Sequence, residues 1–147
     1  MTTLLVKNAQ MLVTMDDERR EIAGGGLFIR DNVIEAVGPI GALPDTADLI
    51  LDLRDHVILP GLINTHHHLY QSLTRVIAQD ADLFTWLKTL YPIWANLTDE
   101  AIYLSTITGL AELALSGCTT SSDHLYIFPN ECTLDSQIRA AADIGVR

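Results

Sequence analysis

The sequence is poor in cysteine, basic residues and aromatic side chains, and it has no long apolar run. Its 147 residues include two cysteines, Cys118 and Cys132, which lack the close spacing of a cysteine-rich zinc site. Two cysteines also exclude a disulfide-stapled secreted scaffold and favour a reduced, cytoplasmic location. No stretch reaches the roughly 20 apolar residues of a membrane span, and the N-terminus lacks the apolar core of a secretory signal.

Basic residues are outnumbered by acidic ones. The sequence contains nine Lys and Arg and 19 Asp and Glu, which gives a formal net charge of −10. A nucleic-acid partner requires a basic surface, and anionic membranes attract basic segments, so the sequence predicts neither partner. The 48% hydrophobic content suffices for a buried core, and the length fits one ordinary domain.

The chain changes character near residue 60. Residues 1–59 contain short apolar segments separated by turns, as in a β-rich domain, and Asp31-Asn32 suits the turn of a hairpin. Beyond residue 60, predicted strands alternate with predicted helices, which is typical of a parallel sheet or barrel. A barrel of eight such units needs about 250 residues, so residues 60–147 are expected to hold its first units, with more protein beyond residue 147.

Three predicted helices follow the first strand of this second region. Apolar periodicity predicts a helix over 82–97, which Pro92 should break or kink because proline lacks an N–H. Thr98 is expected to cap a second helix. Thr133 is expected to cap a third, which Gly145 should end. A second strand is predicted between the last two helices, over 118–124.

Three of the five histidines are consecutive, in the stretch PGLINTHHHLYQSLTR that begins at Pro60. Successive side chains of a strand point to opposite faces, so His66 and His68 are expected to share one face and His67 the other. Two imidazoles on one face can reach a common divalent ion, and zinc and iron both accept them. His67 is expected to pack or to support the site.

Two histidines do not complete a catalytic zinc site, which usually has three protein ligands and an open position. The remaining ligands are expected beyond residue 147. His124 ends the second predicted strand and could be a ligand, a supporting residue or a core histidine. Its neighbours Asp123 and Tyr126 are weaker candidates for the site.

The segment Pro60-Gly61-Leu62-Ile63-Asn64-Thr65-His66-His67-His68 resembles the strand that opens the barrel in the amidohydrolase superfamily. The pattern there is Pro-Gly-apolar-Ile/Val-Asn/Asp-x-His-x-His. The resemblance implies an α/β fold in which a metal-dependent TIM (β/α)8 barrel accompanies a small β-sandwich. Residues 1–59 would then form the N-terminal part of the sandwich, and residues 60–147 the first β/α units of the barrel.

Segments 66–75, 83–87, 90–95 and 116–120 are similar to the cytosine/guanine deaminase and triazine hydrolase branch, most of all to 8-oxoguanine deaminases. The resemblance makes His66 and His68 ligands of one divalent metal ion, zinc or alternatively iron. It makes Gln71 a contact to the substrate ring and Trp86 a wall of the ring pocket.

The resemblance further implies a hydrolytic deaminase that acts on a C–N bond of a purine-like ring of the 8-oxoguanine or guanine type. Hydroxide formed on the metal would attack the ring carbon that bears the amine. The acid/base residue is expected beyond residue 147. One alternative is a triazine hydrolase that releases chloride or an alkylamine, and another is an inactive, incomplete fragment. The expected partners are a small heterocyclic substrate and further copies of the same protein.

Overall fold

A computed structural model describes all 147 residues, which form two compact units, Met1–Pro60 and Gly61–Arg147. The first unit contains seven strands and a short 3-10 turn at Ile40–Ala42. The strands are β1 (Thr3–Lys7), β2 (Met11–Val13), β3 (Glu21–Ile22), β4 (Gly25–Arg30), β5 (Val33–Pro39), β6 (Leu49–Asp52) and β7 (Val57–Ile58). They form a four-stranded sheet in the order β5-β4-β1-β6 and a three-stranded sheet in the order β3-β2-β7.

The larger sheet is built around β1, which pairs antiparallel with β4 and parallel with β6. The predicted hairpin turn is confirmed: Asp31 has a φ of 52° and reverses the chain between β4 and β5. Gly26 allows β4 to approach β1, because a Cβ there would collide with the carbonyl oxygen of Val6. Leu5, Phe28 and Leu43 form the buried core of the unit.

The second unit contains two strands and three helices. The strands are β8 (Leu62–Asn64) and β9 (Cys118–Ser121), and the helices are α1 (Leu83–Trp94), α2 (Asp99–Leu115) and α3 (Asp135–Ile144). Two 3-10 segments, Leu69–Thr74 and Pro129–Glu131, follow β8 and β9 in the chain. None of the three helices combines the length and the apolar content that crossing a membrane would require.

Strands β8 and β9 pair in parallel, so the chain must cross over between them, and α1 and α2 make that crossover. The pairing contains a bulge. Leu62 pairs with Cys118, but Ile63 pairs with Thr120, so Thr119 is an extra residue on β9. Gly61 makes room for it, since a Cβ at Gly61 would collide with the Thr119 side chain.

The helix ends follow ordinary capping chemistry. The predicted cap at Thr98 is confirmed, because its side chain accepts a hydrogen bond from the Ala101 N–H at 3.2 Å. Gly145 ends α3 in the left-handed region with a φ of 79°, also as predicted. The Thr133 hydroxyl accepts from the Asp135 N–H at 3.2 Å, although α3 begins after Leu134.

Two sequence predictions differ from the structure. Helix α1 continues through Pro92 to Trp94. Because Pro92 lies in the last turn, its missing N–H removes a single helical hydrogen bond, and the remaining contacts hold the turn. The second strand was predicted over 118–124 but ends at Ser121, beyond which the chain turns toward the segment that follows β8.

Trp94 lies at the centre of the second core and is fully buried. Its indole Nε1 donates a hydrogen bond to the Thr74 hydroxyl at 3.1 Å, which joins α1 to the 3-10 segment after β8. The buried residues of this core are Tyr70, Leu90, Trp94, Leu97, Ile102, Leu125 and Cys132. The core therefore lies directly against the segment that carries the histidines.

We expect Leu90→Ala to lower the free energy of unfolding by about 2–5 kcal/mol, because Leu90 is 1% exposed and its loss leaves a cavity. Urea unfolding measures the change. Lys88→Ala, on the exposed side of the same helix, is the control and should change stability by less than about 0.5 kcal/mol. Equal effects of the two substitutions would contradict the described core.

Candidate metal centre

The histidine segment lies at the carboxyl ends of the two parallel strands. Strand β8 ends at Asn64, and its carbonyl accepts a hydrogen bond from the Ser122 N–H at 2.8 Å just beyond β9. The Asn64 side chain donates to the Ser121 hydroxyl at 3.3 Å and accepts from the His66 N–H at 3.3 Å. The segments that leave the two strands are therefore tied together at this edge.

Three histidine rings meet at this edge. The centroid of the His66 ring lies 5.0 Å from that of His68 and 4.9 Å from that of His124, and the His68 and His124 centroids are 5.5 Å apart. One ring nitrogen from each residue lies within 4.8 Å of the others. The even spacing of His66 and His68 therefore places their rings side by side, although both residues follow the end of β8.

The donor set fits a divalent metal ion. Zinc–imidazole bonds of about 2.0–2.1 Å place two ligand nitrogens at most about 4.2 Å apart, so rings whose nitrogens lie within 4.8 Å of one another need only a small approach to share one ion. His68 is oriented for such a role, because its Nδ1 donates a hydrogen bond to the His124 carbonyl oxygen at 3.0 Å. The bond leaves Nε2 of His68 with its lone pair free, which is the arrangement usual for metal-binding histidines.

The His67 ring is not part of the cluster that His66, His68 and His124 form, although it lines the cavity beside them. It is half-buried, and its Nδ1 is buried without a hydrogen-bond partner in the protein. Burial lowers the pKa of His67, although the charge of Asp123 acts in the opposite direction. A lowered pKa favours the neutral ring, so His67 adds no positive charge beside the neighbouring imidazoles.

The chain after β9 fixes the histidine segment through its backbone. The His124 N–H donates to the His67 carbonyl at 2.9 Å, and the Asp123 Oδ1 accepts from the Leu69 N–H at 2.6 Å. His68 thus lies between two anchored neighbours. Asp123 and His124 bind this segment from the chain that follows the second strand, which explains how residues 56 positions apart form one site.

A cavity of about 440 Å³ opens beside the rings. Its lining residues are His66, His67, His68, Gln71, Ser72, Thr74, Arg75, Trp86 and Glu112. Both residues that were predicted to contact a substrate, Gln71 and Trp86, therefore line the same cavity as the histidines. Arg75 and Glu112 form a two-pronged ion pair at its exposed side, with N–O distances of 2.6 and 2.7 Å.

Gln71 and Trp86 are held by aromatic neighbours. The Gln71 Nε2 donates to the Tyr70 hydroxyl at 2.9 Å and to the Tyr126 hydroxyl at 3.3 Å. The Trp86 ring packs edge-on against Trp94, with 5.2 Å between centroids, so it serves the core as well as the cavity. Burial, followed by a hydrogen bond with Tyr126, raises the pKa of Tyr70 well above its ordinary value, so its phenol stays neutral.

The sequence leaves the role of His124 open and makes Tyr126 a weaker candidate, and the structure brings both to the site. The Tyr126 ring meets the His68 ring edge-on, with 5.4 Å between centroids. The feature of the sequence that indicated His124 and Tyr126 is their position at the end of the second predicted strand. Because that strand stops at Ser121, the alternation of faces could not show where the side chains beyond it point.

Comparison with known proteins places these residues in a family. Residues 57–147 match the amidohydrolase family, and that range is more than half of the chain. The chain belongs to the amidohydrolase family. The resemblance of the segment that begins at Pro60 is therefore confirmed, as is the α/β amidohydrolase fold for the part of the protein described.

Individual relatives extend this finding. An 8-oxoguanine deaminase from Pseudomonas aeruginosa is 47% identical over 130 residues, which cover 85% of this chain and 29% of that protein. A hydroxydechloroatrazine ethylaminohydrolase from Pseudomonas sp. (strain ADP) is 34% identical over 162 residues, which cover 100% of this chain and 34% of the relative.

Solved structures show the same similarity. The atrazine chlorohydrolase from Arthrobacter aurescens in complex with zinc superposes with a TM-score of 0.88 at 30% identity, over 98% of this chain and 34% of that one. This chain thus spans about a third of the length of the relatives and structures that it matches.

We expect His66→Ala and His68→Ala each to weaken zinc binding by more than about 100-fold, since losing even a residue that supports a ligand costs about 10–100-fold. His56→Ala, which removes an exposed histidine of the first unit, is the matched control and should leave the metal content unchanged. Metal analysis of the whole protein after dialysis against a weak chelator measures both. Full zinc content in the His66 or His68 variant would remove that residue from the site.

Proposed function

We propose that the whole protein is a metal-dependent hydrolytic deaminase of a purine-like ring of the 8-oxoguanine or guanine type. The observation that carries the proposal is that the neighbouring His66 and His68 rings line the same cavity as the Gln71 amide. The chain that contains this cavity is 47% identical to an 8-oxoguanine deaminase. His66 and His68 are the proposed ligands of one divalent ion, zinc or alternatively iron. A zinc-bound relative of the same fold supports zinc.

A divalent ion bound there would supply Lewis-acid activation of water, whose pKa such ions lower from about 15.7 to near 7. The residues of this chain do the remaining work. The His124 carbonyl accepts from Nδ1 and so keeps the His68 ring in one tautomer, which would leave Nε2 free to bind a metal ion. The neutral state of His67 avoids a charge that would repel a cation.

Gln71 and Trp86 are proposed to bind the heterocycle. The Gln71 amide lies in the cavity wall and can pair with the polar edge of a ring, while the Trp86 face closes one side. A buried amide discriminates strongly between rings, because a ring that cannot pair with it leaves a polar group unsatisfied. The general acid/base is proposed to come from residues beyond 147. The cavity's single carboxylate, Glu112, is paired with Arg75.

The wider architecture is part of the same proposal. Leu62 and Ile63 of β8 are 57% and 68% exposed, whereas parallel sheets are ordinarily covered on both faces. We place β8 and β9 as the first two strands of a (β/α)8 barrel, and residues 1–59 in a β-sandwich, in a protein about three times longer. Two free, buried cysteines support a reducing, cytoplasmic location. A homo-oligomer is proposed from the resemblance.

The alternative function is hydrolysis of a triazine, and the similarity to an atrazine chlorohydrolase structure favours it. Assays of the whole, zinc-loaded protein separate the two. The proposal expects ammonia from 8-oxoguanine or guanine at a kcat/KM far above that for release of chloride from a chlorotriazine. The reverse order would establish the alternative. Assay of the isolated 147-residue chain tests whether it is inactive by itself, which is the expected result.

We expect Gln71→Ala to lower kcat/KM for the purine substrate about 5- to 100-fold while the zinc content stays unchanged. The range follows from about 1–3 kcal/mol for an unpaired buried polar group. Gln10→Ala replaces an exposed glutamine in the first unit and is the matched control, with no expected change. Steady-state kinetics together with metal analysis measure the effect, and an unchanged kcat/KM in the Gln71 variant would exclude it from substrate binding.

A further inference from the structure

Two tyrosines hold the Gln71 amide at the cavity wall. Its Nε2 donates to the Tyr70 hydroxyl at 2.9 Å and to the Tyr126 hydroxyl at 3.3 Å. The Tyr70 ring is 1% exposed, while Tyr126 is 45% exposed. The two rings pack edge-on at 5.6 Å between centroids, and the Tyr126 ring also packs edge-on against His68.

A primary amide has two N–H donors and one carbonyl acceptor. Because both donors of Gln71 are directed at phenol oxygens, the carbonyl oxygen, Oε1, is the group left to meet a ligand. The packing of Tyr126 against His68 also fixes its hydroxyl relative to the candidate metal ligand. The amide is therefore oriented by the same residue that contacts the metal site.

We propose that Tyr126 is a positioning residue that, with Tyr70, presents the Gln71 carbonyl oxygen to the substrate and so selects rings that offer an N–H at that edge. This inference rests on the proposed function, since it specifies which edge of the substrate ring Gln71 binds. A ring with only acceptors at that edge would place two oxygens, or an oxygen and a ring nitrogen, against each other.

The test uses Tyr126→Phe in the whole protein, because the substitution removes the hydroxyl and keeps the ring. Metal content should stay constant, and kcat/KM for the N–H substrate should fall about 5- to 30-fold, as expected for one lost hydrogen bond of about 1–2 kcal/mol. The preference for that substrate over its ring-N-methyl analogue should shrink by a similar factor. Tyr103→Phe, which removes a hydroxyl bonded to Asp143 between α2 and α3, is the control and should change neither value.

The double variant Tyr126→Phe/Gln71→Ala separates positioning from direct contact. If Tyr126 acts through Gln71, the double variant is no slower than Gln71→Ala alone. Additive losses would show that Tyr126 acts on the substrate itself and would overturn the proposal. Crystal structures supply a readout independent of activity: the Gln71 amide should rotate in Tyr126→Phe. An amide that does not rotate would overturn the inference, even if the wild-type protein deaminates purines. A rotated amide would support the inference, even if the wild-type protein does not deaminate purines.

A different observation concerns the region behind the histidines. Three buried side-chain atoms, the Thr106 Oγ1, the Asp123 Oδ2 and the Gln137 Nε2, have no hydrogen-bond partner in the protein. All three residues line one cavity of about 220 Å³ between α2, α3 and the segment after β9. Thr106 and Gln137 are 1% and 7% exposed. Unpaired polar atoms at such depth are costly, so the presence of three in the lining of one cavity indicates that the cavity holds hydrogen-bonding partners for them.

The chemistry of the three atoms selects the ligand. The Gln137 Nε2 donates, the Asp123 Oδ2 accepts, and the Thr106 hydroxyl does either. A cation cannot accept from an amide N–H, and an anion would be repelled by the carboxylate. We infer that ordered water occupies this cavity and bridges α2 and α3 to Asp123. Since the other Asp123 oxygen binds the Leu69 N–H, the water supports the backbone next to His68.

A crystal structure of the whole protein at a resolution that shows ordered water tests this inference. The expected result is ordered water in the cavity, with a water oxygen about 2.7–3.2 Å from each of the three atoms. Thr106→Val should displace it and lower Tm by a few degrees more than Thr108→Val, which alters a hydroxyl bonded only within α2. A dry cavity, a metal ion shown by anomalous scattering, or a side chain that fills the space would each overturn the inference.

Discussion

The candidate site depends on a pair of backbone contacts between the segments that leave β8 and β9. The His67 carbonyl accepts from the His124 N–H, and the His124 carbonyl accepts from the His68 ring. Three of the four groups in these two bonds belong to the backbone, so the arrangement is specified by the path of the chain more than by side-chain identity. The parallel pairing of the two strands brings the partners within reach, and the crossover through α1 and α2 makes that pairing possible.

The three consecutive histidines have different environments despite their adjacency. The His66 and His68 rings belong to the cluster of three, whereas His67 lies outside it and is half-buried, which lowers its pKa. Behind them, the Trp94 core and the bond from Asp123 to Leu69 hold the backbone in place. The site is therefore positioned by the core beneath it as well as by the contacts among its own rings.

The histidine pair could be predicted from the sequence because an even step in an extended segment is a local property. The same holds for the Thr98 cap and the Asp31 turn, each of which depends on a few neighbouring residues. His124 and Tyr126 could not be placed in this way. Their positions depend on where β9 ends and how the chain then turns, and these are set by long-range pairing with Asn64 and His67. The effect of Pro92 could not be predicted for the same reason. It depends on how far Pro92 lies from the end of α1, and tertiary packing decides where that helix ends.

The extra residue on β9 has a consequence for everything downstream of it. Thr119 inserts one position into the parallel pairing, so Asn64 lies opposite Ser121 and the residues that follow are offset by one from a regular ladder. Deleting that threonine would leave a regular ladder, because Ile63 and Asn64 would keep Thr120 and Ser121 as partners. The deletion would remove the local bend of the bulge, and it would also remove an acceptor, since the Thr119 carbonyl accepts a hydrogen bond from the Arg147 N–H at 3.1 Å. The bulge therefore joins β9 to the chain that follows α3 as well as to β8.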